Sequence, residues 1–433
     1  LSALQLTTGW VSIVFPILGL LGLLWLIIGP VKHLKIAVPL ALVGGGLLAL
    51  GLKFLTENML NLWGEPLRWR TYIFAALAIA ALALVVPRML KSRRWYTKLL
   101  APLATLLVLL AVSLQINQVF GYFPTAGSLW GDNGVAIQSI SSSDTAEKST
   151  ITKSTPLVKA SSWRPPADMP KEGKVLKVKI PATVSQVHSG DSYIYLPPAY
   201  RTKTPANVPV LVLIHGNPGG AIDWQRGGIV AVMNSYAAAH KGLAPLVVMP
   251  DVTSGSSVSW PLCMDSPRAK GATFLSVDVP NYVRQTFGLG LAGGKQFAIG
   301  GFSYGGTCAM QLGVTAAKEY PIFLDFSGER GPYLKGGDPA IINDYFNGDA
   351  AAFAAVNPLD VLKTKKLESS KAIVLVGQDD PYRPQGEEVY RALKGAKAQV
   401  TLQTVAGGHS WDVWRPAMAN NLPWLMHQFG VTG

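Results

Sequence analysis

The sequence predicts two parts of different class. Residues 1–120 read as a bundle of four apolar, membrane-spanning helices, and residues 175–433 as an α/β domain with a mostly parallel central sheet. Three observations carry this. The chain has 433 residues, 49% hydrophobic and only 15% charged, with a mean hydropathy of +0.27; that balance joins membrane-like to globular sequence. Four long apolar stretches precede residue 120. From residue 175 onward, short continuous apolar runs alternate with helical patterns, the mark of parallel strands covered on both faces.

The apolar stretches run Trp10 to Ile28, Ile36 to Leu52, Tyr72 to Val86 and Leu99 to Leu114. Each approaches the roughly 17–25 residues that cross a bilayer as a helix, the last two with help from their flanks. Pro16, Pro39 and Pro102 are tolerated in such helices, and no polar face recurs at helical period, which argues against a soluble bundle. Lys32, His33 and Lys35 join the first two helices; Arg88, Lys91, Arg93, Arg94 and Lys98 join the last two. The middle loop, Thr56 to Arg70, sets Glu57 and Glu65 against Arg68 and Arg70. Lysine and arginine collect in cytoplasmic loops, so the first and third loops are expected inside. The N-terminus and everything after the fourth helix are then outside, in a multi-pass protein of the cell membrane. The first stretch lacks the basic start and small-residue site of a cleavable signal peptide. Of the net charge of +13, +8 falls before residue 121. The bilayer is the expected partner; no basic stripe interleaved with aromatics points to nucleic acid. Apolar helices without internal charges do not mark a transport path.

Residues 121–174 read as a linker or extended arm, rich in serine and threonine ("SISSSDTAEKSTITKSTP"). Eight strand patterns follow. They lie at Val175–Ile180 and Ser192–Leu196, then in runs ending at His215, Val252, Ser303, Gly328, Asp380 and His409. Helical patterns cover Gly228–Lys241, Thr273–Phe287 and Gly305–Glu319. In such sheets ligand chemistry sits at the carboxyl ends of strands.

The residues that bear chemistry fall at those ends. "IGGFSYGG" places Ser303 between Gly301 and Gly305, after a strand and before a helix, the context in which a tight turn lifts a serine hydroxyl out of a sheet. A serine nucleophile needs a base. Of six histidines, His33 lies in a membrane loop, His188 before a turn, and His240 and His427 in helices; His215 suits a structural role. His409, after the last strand, is left as the base. The acid belongs between them, and "VGQDDPYRP" offers Asp379 and Asp380, of which Asp380 has the commoner spacing. The order serine, acid, histidine is that of the α/β-hydrolase fold. An oxyanion would be met by backbone N–H groups of Tyr304 and of Asn217 in "HGNPGG". Asp223 and Trp224 either line the substrate site or pack the loop, and Trp411 is a further candidate contact.

"HGNPGGAIDW", "GGFSYGGTCAMQL", "VGQDDPYRP" and "GGHSWDVWRPAM" together resemble the putative esterase family, of the esterase D and mycolyltransferase-antigen type, from about Val175 to the C-terminus. The ending Gly408, His409, Trp411, Trp414 is the most specific part. The resemblance implies an α/β-hydrolase core, a serine nucleophile and carboxylic-ester substrates, with both esterases and acyltransferases among members. The helical N-terminal part resembles membrane esterases of actinobacteria, some associated with removing aminoacyl groups from lipids.

Two cysteines remain, Cys263 in "SWPLCMDS" and Cys308 five residues beyond Ser303. Outside the cytoplasm they are expected to form a disulfide tying an active-site loop to the following helix; the alternative is two buried thiols. Neither has metal-site spacing, and no metal or organic cofactor is implied. The expected activity is hydrolysis of amphiphilic envelope esters, acylated or aminoacylated lipids, through an acyl-enzyme. An acyltransferase using a sugar or lipid hydroxyl would need the same residues. A non-enzymatic scaffold with a hydrolase fold would not need the serine, aspartate and histidine together.

Overall fold

A computed structural model of the chain describes residues 3–60, 67–90, 94–130, 136–141, 144–145, 151–253 and 262–432. Two compact units divide it, 1–130 and 131–433.

The first unit holds four helices: α1 (Val11–Ile27), α2 (Val38–Lys53), α3 (Trp69–Leu90) and α4 (Trp95–Phe120). π-helical turns at His33–Ala37 and Phe54–Met59 extend α2 at both ends. Among the described residues three helical stretches are long and apolar enough to cross a membrane: His33–Met59, Trp69–Leu90 and Trp95–Phe120. The expected fourth, α1, has 17 residues and so reaches about 25 Å at 1.5 Å per residue, below the length of the other three. Of the loop charges, Glu65, Lys91 and Arg93 lie outside the described residues.

Packing in this unit uses small residues. A side chain at Gly22 would press on the Ala104 backbone, and one at Gly45 on Ala76 and Ala80. Ala80, Ala81, Ala101, Ala104 and Leu84 fill the interior, so backbones approach closely. Most of the large aliphatics face outward, as at Leu40 (69% exposed), Leu47 (64%) and Leu106 (60%).

The second unit is built on a nine-stranded sheet in the order β1-β2-β3-β5-β4-β6-β7-β8-β9. The strands are β1 (Ile137–Ser139), β2 (Lys174–Val178), β3 (Ser192–Leu196), β4 (Val210–Ile214), β5 (Leu246–Met249), β6 (Phe297–Phe302), β7 (Ile322–Phe326), β8 (Lys371–Gly377) and β9 (Gln399–Val405). All eight sequence-predicted strands are present. Only β3 runs against the rest, pairing antiparallel with β2 and β5. β1 is additional: three exposed residues pair with β2 at the sheet edge, too short and too polar to show a period. β4 and β6 are buried along their whole length. Each of their aliphatic side chains contributes about 1.5–3 kcal/mol by leaving water, which is why these central strands read as unbroken apolar runs. Residues 157–163 lie as a strap over this unit. Val158 N–H donates to Asn207 O, Ala160 N–H to Val431 O and the Trp163 indole to Lys241 O, at 2.8–2.9 Å.

Cys263 and Cys308 form a disulfide with 5.4 Å between Cα atoms. Cys308 sits in the helix Tyr304–Thr315, and both residues are buried. The bond closes a loop of 45 residues. Its removal in a Cys263→Ser, Cys308→Ser double variant is expected to destabilise the second unit by about 2–4 kcal/mol. Thermal denaturation with and without reductant measures this; an unchanged midpoint for the reduced protein contradicts it.

Candidate active site

β6 passes into the helix Tyr304–Thr315 through Ser303, whose backbone has φ 56° and ψ −129°. A side chain disfavours this region by about 1–3 kcal/mol, so the surroundings must impose it. Ser303 N–H donates to Phe326 O at 2.8 Å, and Thr307 N–H to Ser303 O at 3.1 Å. The flanking glycines are demanded by contact. A Cβ on Gly301 would strike the Gly305 backbone, and one on Gly305 would strike the Ile214 carbonyl of β4. The turn is therefore wedged between neighbouring strands, with its hydroxyl at the carboxyl edge of the sheet.

His409 follows β9 and precedes the C-terminal helix Trp411–Gln428. The Ser303 hydroxyl donates to His409 Nε2 at 2.8 Å, and His409 Nδ1–H points at the Asp380 carboxylate, 3.2 and 3.3 Å from its two oxygens. The ring is held edge-on by Trp414 and Tyr382, at 4.8 and 5.0 Å between centroids. Of the two aspartates left open by the sequence, Asp380 is buried and Asp379 exposed. Asp379 instead lends its N–H to Gly407 O at 2.8 Å. Burial alone would raise Asp380. His409, by hydrogen bond and charge, and then the Tyr382 N–H outweigh burial and hold the group below the usual carboxylate range. An ionised partner for an imidazolium is thus in place.

The loop after β4, residues 215–220, stands beside the serine because Ile214 pairs with Gly301 in the sheet register. His215 is fully buried and its Nδ1 bonds Gly216 O at 2.8 Å, as suits a structural histidine. Asn217, with a cis bond to Pro218, and Tyr304, the first residue of its helix, lie at adjacent strand ends. Asp223 accepts from Gly220 N–H at 2.9 Å, and the Trp224 indole donates to Ile214 O at 2.9 Å. Trp224 and Trp411 are 1% and 3% exposed. They pack with Phe302 and Trp414 at 4.6–5.7 Å between ring centroids. The structure therefore places both indoles in an aromatic core beneath the site, and Asp223 on the loop backbone, rather than on a substrate surface. Among the described residues no cluster of histidine, cysteine and acidic side chains could hold a metal ion.

Sequence reasoning missed Asp325. It lies on β7, pairs in register with Gly301, and is fully buried. Oδ1 accepts from Gly328 N–H at 2.9 Å, and Oδ2 has no hydrogen-bond partner among the described residues. Burial pushes this carboxyl up to about 7, against the Gly328 bond and with help from the Asp380 charge. An aspartate inside "PIFLDFSG" was the available signal.

The sheet order, the strained serine turn and the serine–aspartate–histidine order define an α/β-hydrolase. The chain belongs to the esterase family described as "Putative esterase", which matches residues 189–425. It is 31% identical over 404 residues to an uncharacterized protein of Corynebacterium glutamicum, covering 90% of this chain and 89% of that one. It is also 27% identical over 237 residues to an acetyl esterase of Caldicellulosiruptor saccharolyticus, covering 51% and 84%. A solved ferulic acid esterase shares the fold, with a TM-score of 0.51 at 21% identity over 61% of this chain and 100% of that chain.

Two outcomes are expected. Asp380→Asn should slow labelling of Ser303 by a fluorophosphonate roughly 10³-fold, with Asp379→Asn staying within about threefold of wild type; equal loss in both variants assigns the acid wrongly. Asp325 keeps its proton to about pH 7 when folded, whereas an unfolded aspartate releases it near 4. Unfolding is therefore progressively favoured as pH rises from about 4 to about 7 and no further above it, on the order of 4 kcal/mol in all. In Asp325→Asn that fall should be absent. Denaturation midpoints at pH 4.5 and 7.5 test it, and parallel curves for the two proteins refute it.

Proposed function

We propose that this chain is a membrane-anchored serine esterase acting outside the cytoplasm on carboxylic esters of amphiphilic envelope lipids, acylated or aminoacylated. One observation carries the chemistry: Ser303 Oγ, His409 and Asp380 form a continuous hydrogen-bonded line at a strained turn. Ser303 Oγ attacks the ester carbonyl while His409 Nε2 takes its proton. Asp380 steadies the imidazolium. The N–H groups of Tyr304 and Asn217 receive the oxyanion, where fixed donors lower the barrier most. His409 returns the proton to the leaving alcohol, and water, activated by the same imidazole, releases the acid and regenerates Ser303.

Support for the location comes from the first unit. Its close helix contacts are made at alanine and glycine, and most of its leucines face outward, the reverse of a water-facing bundle. With all four helices in the bilayer, α1 spanning at the lower limit of length, the second unit lies on the outer face. The disulfide suits an oxidising compartment. An anchored site meets lipid esters at the membrane surface in preference to dilute soluble ones.

Detergent-purified protein and its Ser303→Ala variant, given a panel of aminoacyl-glycerolipids and acylated sugars, test this reading. The expected result is serine-dependent loss of one lipid class, with hydrolysis by the variant at least roughly 10³-fold slower. Acyl movement to an added hydroxyl acceptor without net hydrolysis would replace hydrolase by transferase. No turnover together with no fluorophosphonate labelling at Ser303 would sink the enzyme.

A further inference from the structure

A concavity opens at the carboxyl edge of the sheet, beside Gly220 of the 215–220 loop and Asp251 after β5. Its volume is about 400 Å³, and Lys179, His188, Asp191, Tyr193, Gly220 and Asp251 are among its lining residues. That volume falls in the range of small-molecule sites. Asp251 follows β5 as Ser303 follows β6, with β4 between them in the sheet. Two strand spacings, about 10 Å, therefore separate the two positions, close enough for one molecule to occupy both.

Asp251 is a built feature of this cavity. It is 8% exposed. Its Oδ1 accepts from the N–H and hydroxyl of Thr253 at 2.8 and 3.0 Å and faces His215 Nε2 at 3.6 Å. Its Oδ2 lies between two glycines: a Cβ on Gly190 would sit 2.7 Å from it and one on Gly220 3.6 Å. Both glycines and Asp251 itself line the cavity. Tyr193, 9% exposed, lines the same space.

The charges decide what fits. A cationic group would meet Lys179, and an anionic one Asp251 together with Asp191, which already pairs with Lys177 at 2.6 Å. Donors and acceptors are mixed, and Ile222 is the one large aliphatic side chain among the described residues lining it, so an acyl chain finds little to bury. We propose that this cavity binds a neutral, hydroxyl-bearing group, a sugar or a glycerol, as the alcohol side of the ester, with Asp251 and Tyr193 its principal polar contacts. The assignment to the alcohol side rests on the esterase reading. It holds equally for transfer, because the alcohol that leaves in one direction enters in the other.

Binding is read without catalysis. Saturation-transfer NMR on the full-length protein in detergent, with glucose and glycerol as separate probes, is expected to show saturable binding of at least one; which one tells sugar from glycerol. Asp251→Asn and Tyr193→Phe should each weaken it about tenfold, the effect of one hydrogen bond to a charged or fixed group. Should the asparagine variant fail to fold, the phenylalanine variant, which loses a single hydroxyl, carries the comparison. Absence of saturable binding by either probe, or binding unchanged in the folded variants, overturns the proposal. Fluorophosphonate labelling of Ser303 on the same samples reports separately on the esterase reading.

Discussion

The structure of the second unit depends on one close approach, that of the β6-to-helix turn to β4 and β7. Ser303 occupies a backbone conformation that an L-residue does not choose. It is kept there because the Ile214 carbonyl lies where a side chain on residue 305 would be, and because Phe326 O takes the Ser303 N–H. Much else follows from that crowding. Gly306 is needed because a Cβ there would sit 2.6 Å from Asp325 Oδ1. Gly216 is needed because Phe302 presses on it, 2.5 Å from such a Cβ. The aromatic cluster of Phe302, Trp224, Trp411 and Trp414 then fills the volume behind the turn and leans on His409 through Trp414. Position of the serine and position of the base are thus set by the same packed layer.

This explains which parts could be read from the sequence. The eight strands were legible because burial on both faces leaves continuous apolar runs. Ser303 was legible because steric crowding writes itself as glycine at fixed offsets, and His409 because few histidines end a strand. The choice between Asp379 and Asp380 was legible only as a preference. It turns on which side chain the loop folds inward, a matter of three-dimensional closure against Gly407 and His409. Trp224 and Trp411 look alike in sequence whether they line a cleft or support one. β1 had no pattern to show, since three exposed residues at an edge carry no period. The length of α1 was read from apolar composition through Ile28, whereas the helix ends at Ile27, before Pro30.

Asp325 was the least legible residue, and it bears on the charge balance at the site. Two carboxyls stand at the ends of adjacent strands β7 and β8. Asp380 is drawn into ionisation by His409, and Asp325, fully buried with one oxygen unpartnered among the described residues, is pushed the other way. Neighbouring acids whose environments separate their protonation in this manner can take different roles in one site. With Asp325 neutral, the negative charge that steadies His409 is single and located on the side of the ring away from Ser303. With both ionised, each would raise the other's proton affinity. The field at the imidazole would then come from two directions, one of them beneath the serine turn. Burial, helped by the Asp380 charge, therefore holds the Asp325 carboxyl under the turn mostly protonated below about pH 7, and there Asp380 is the ionised partner of His409.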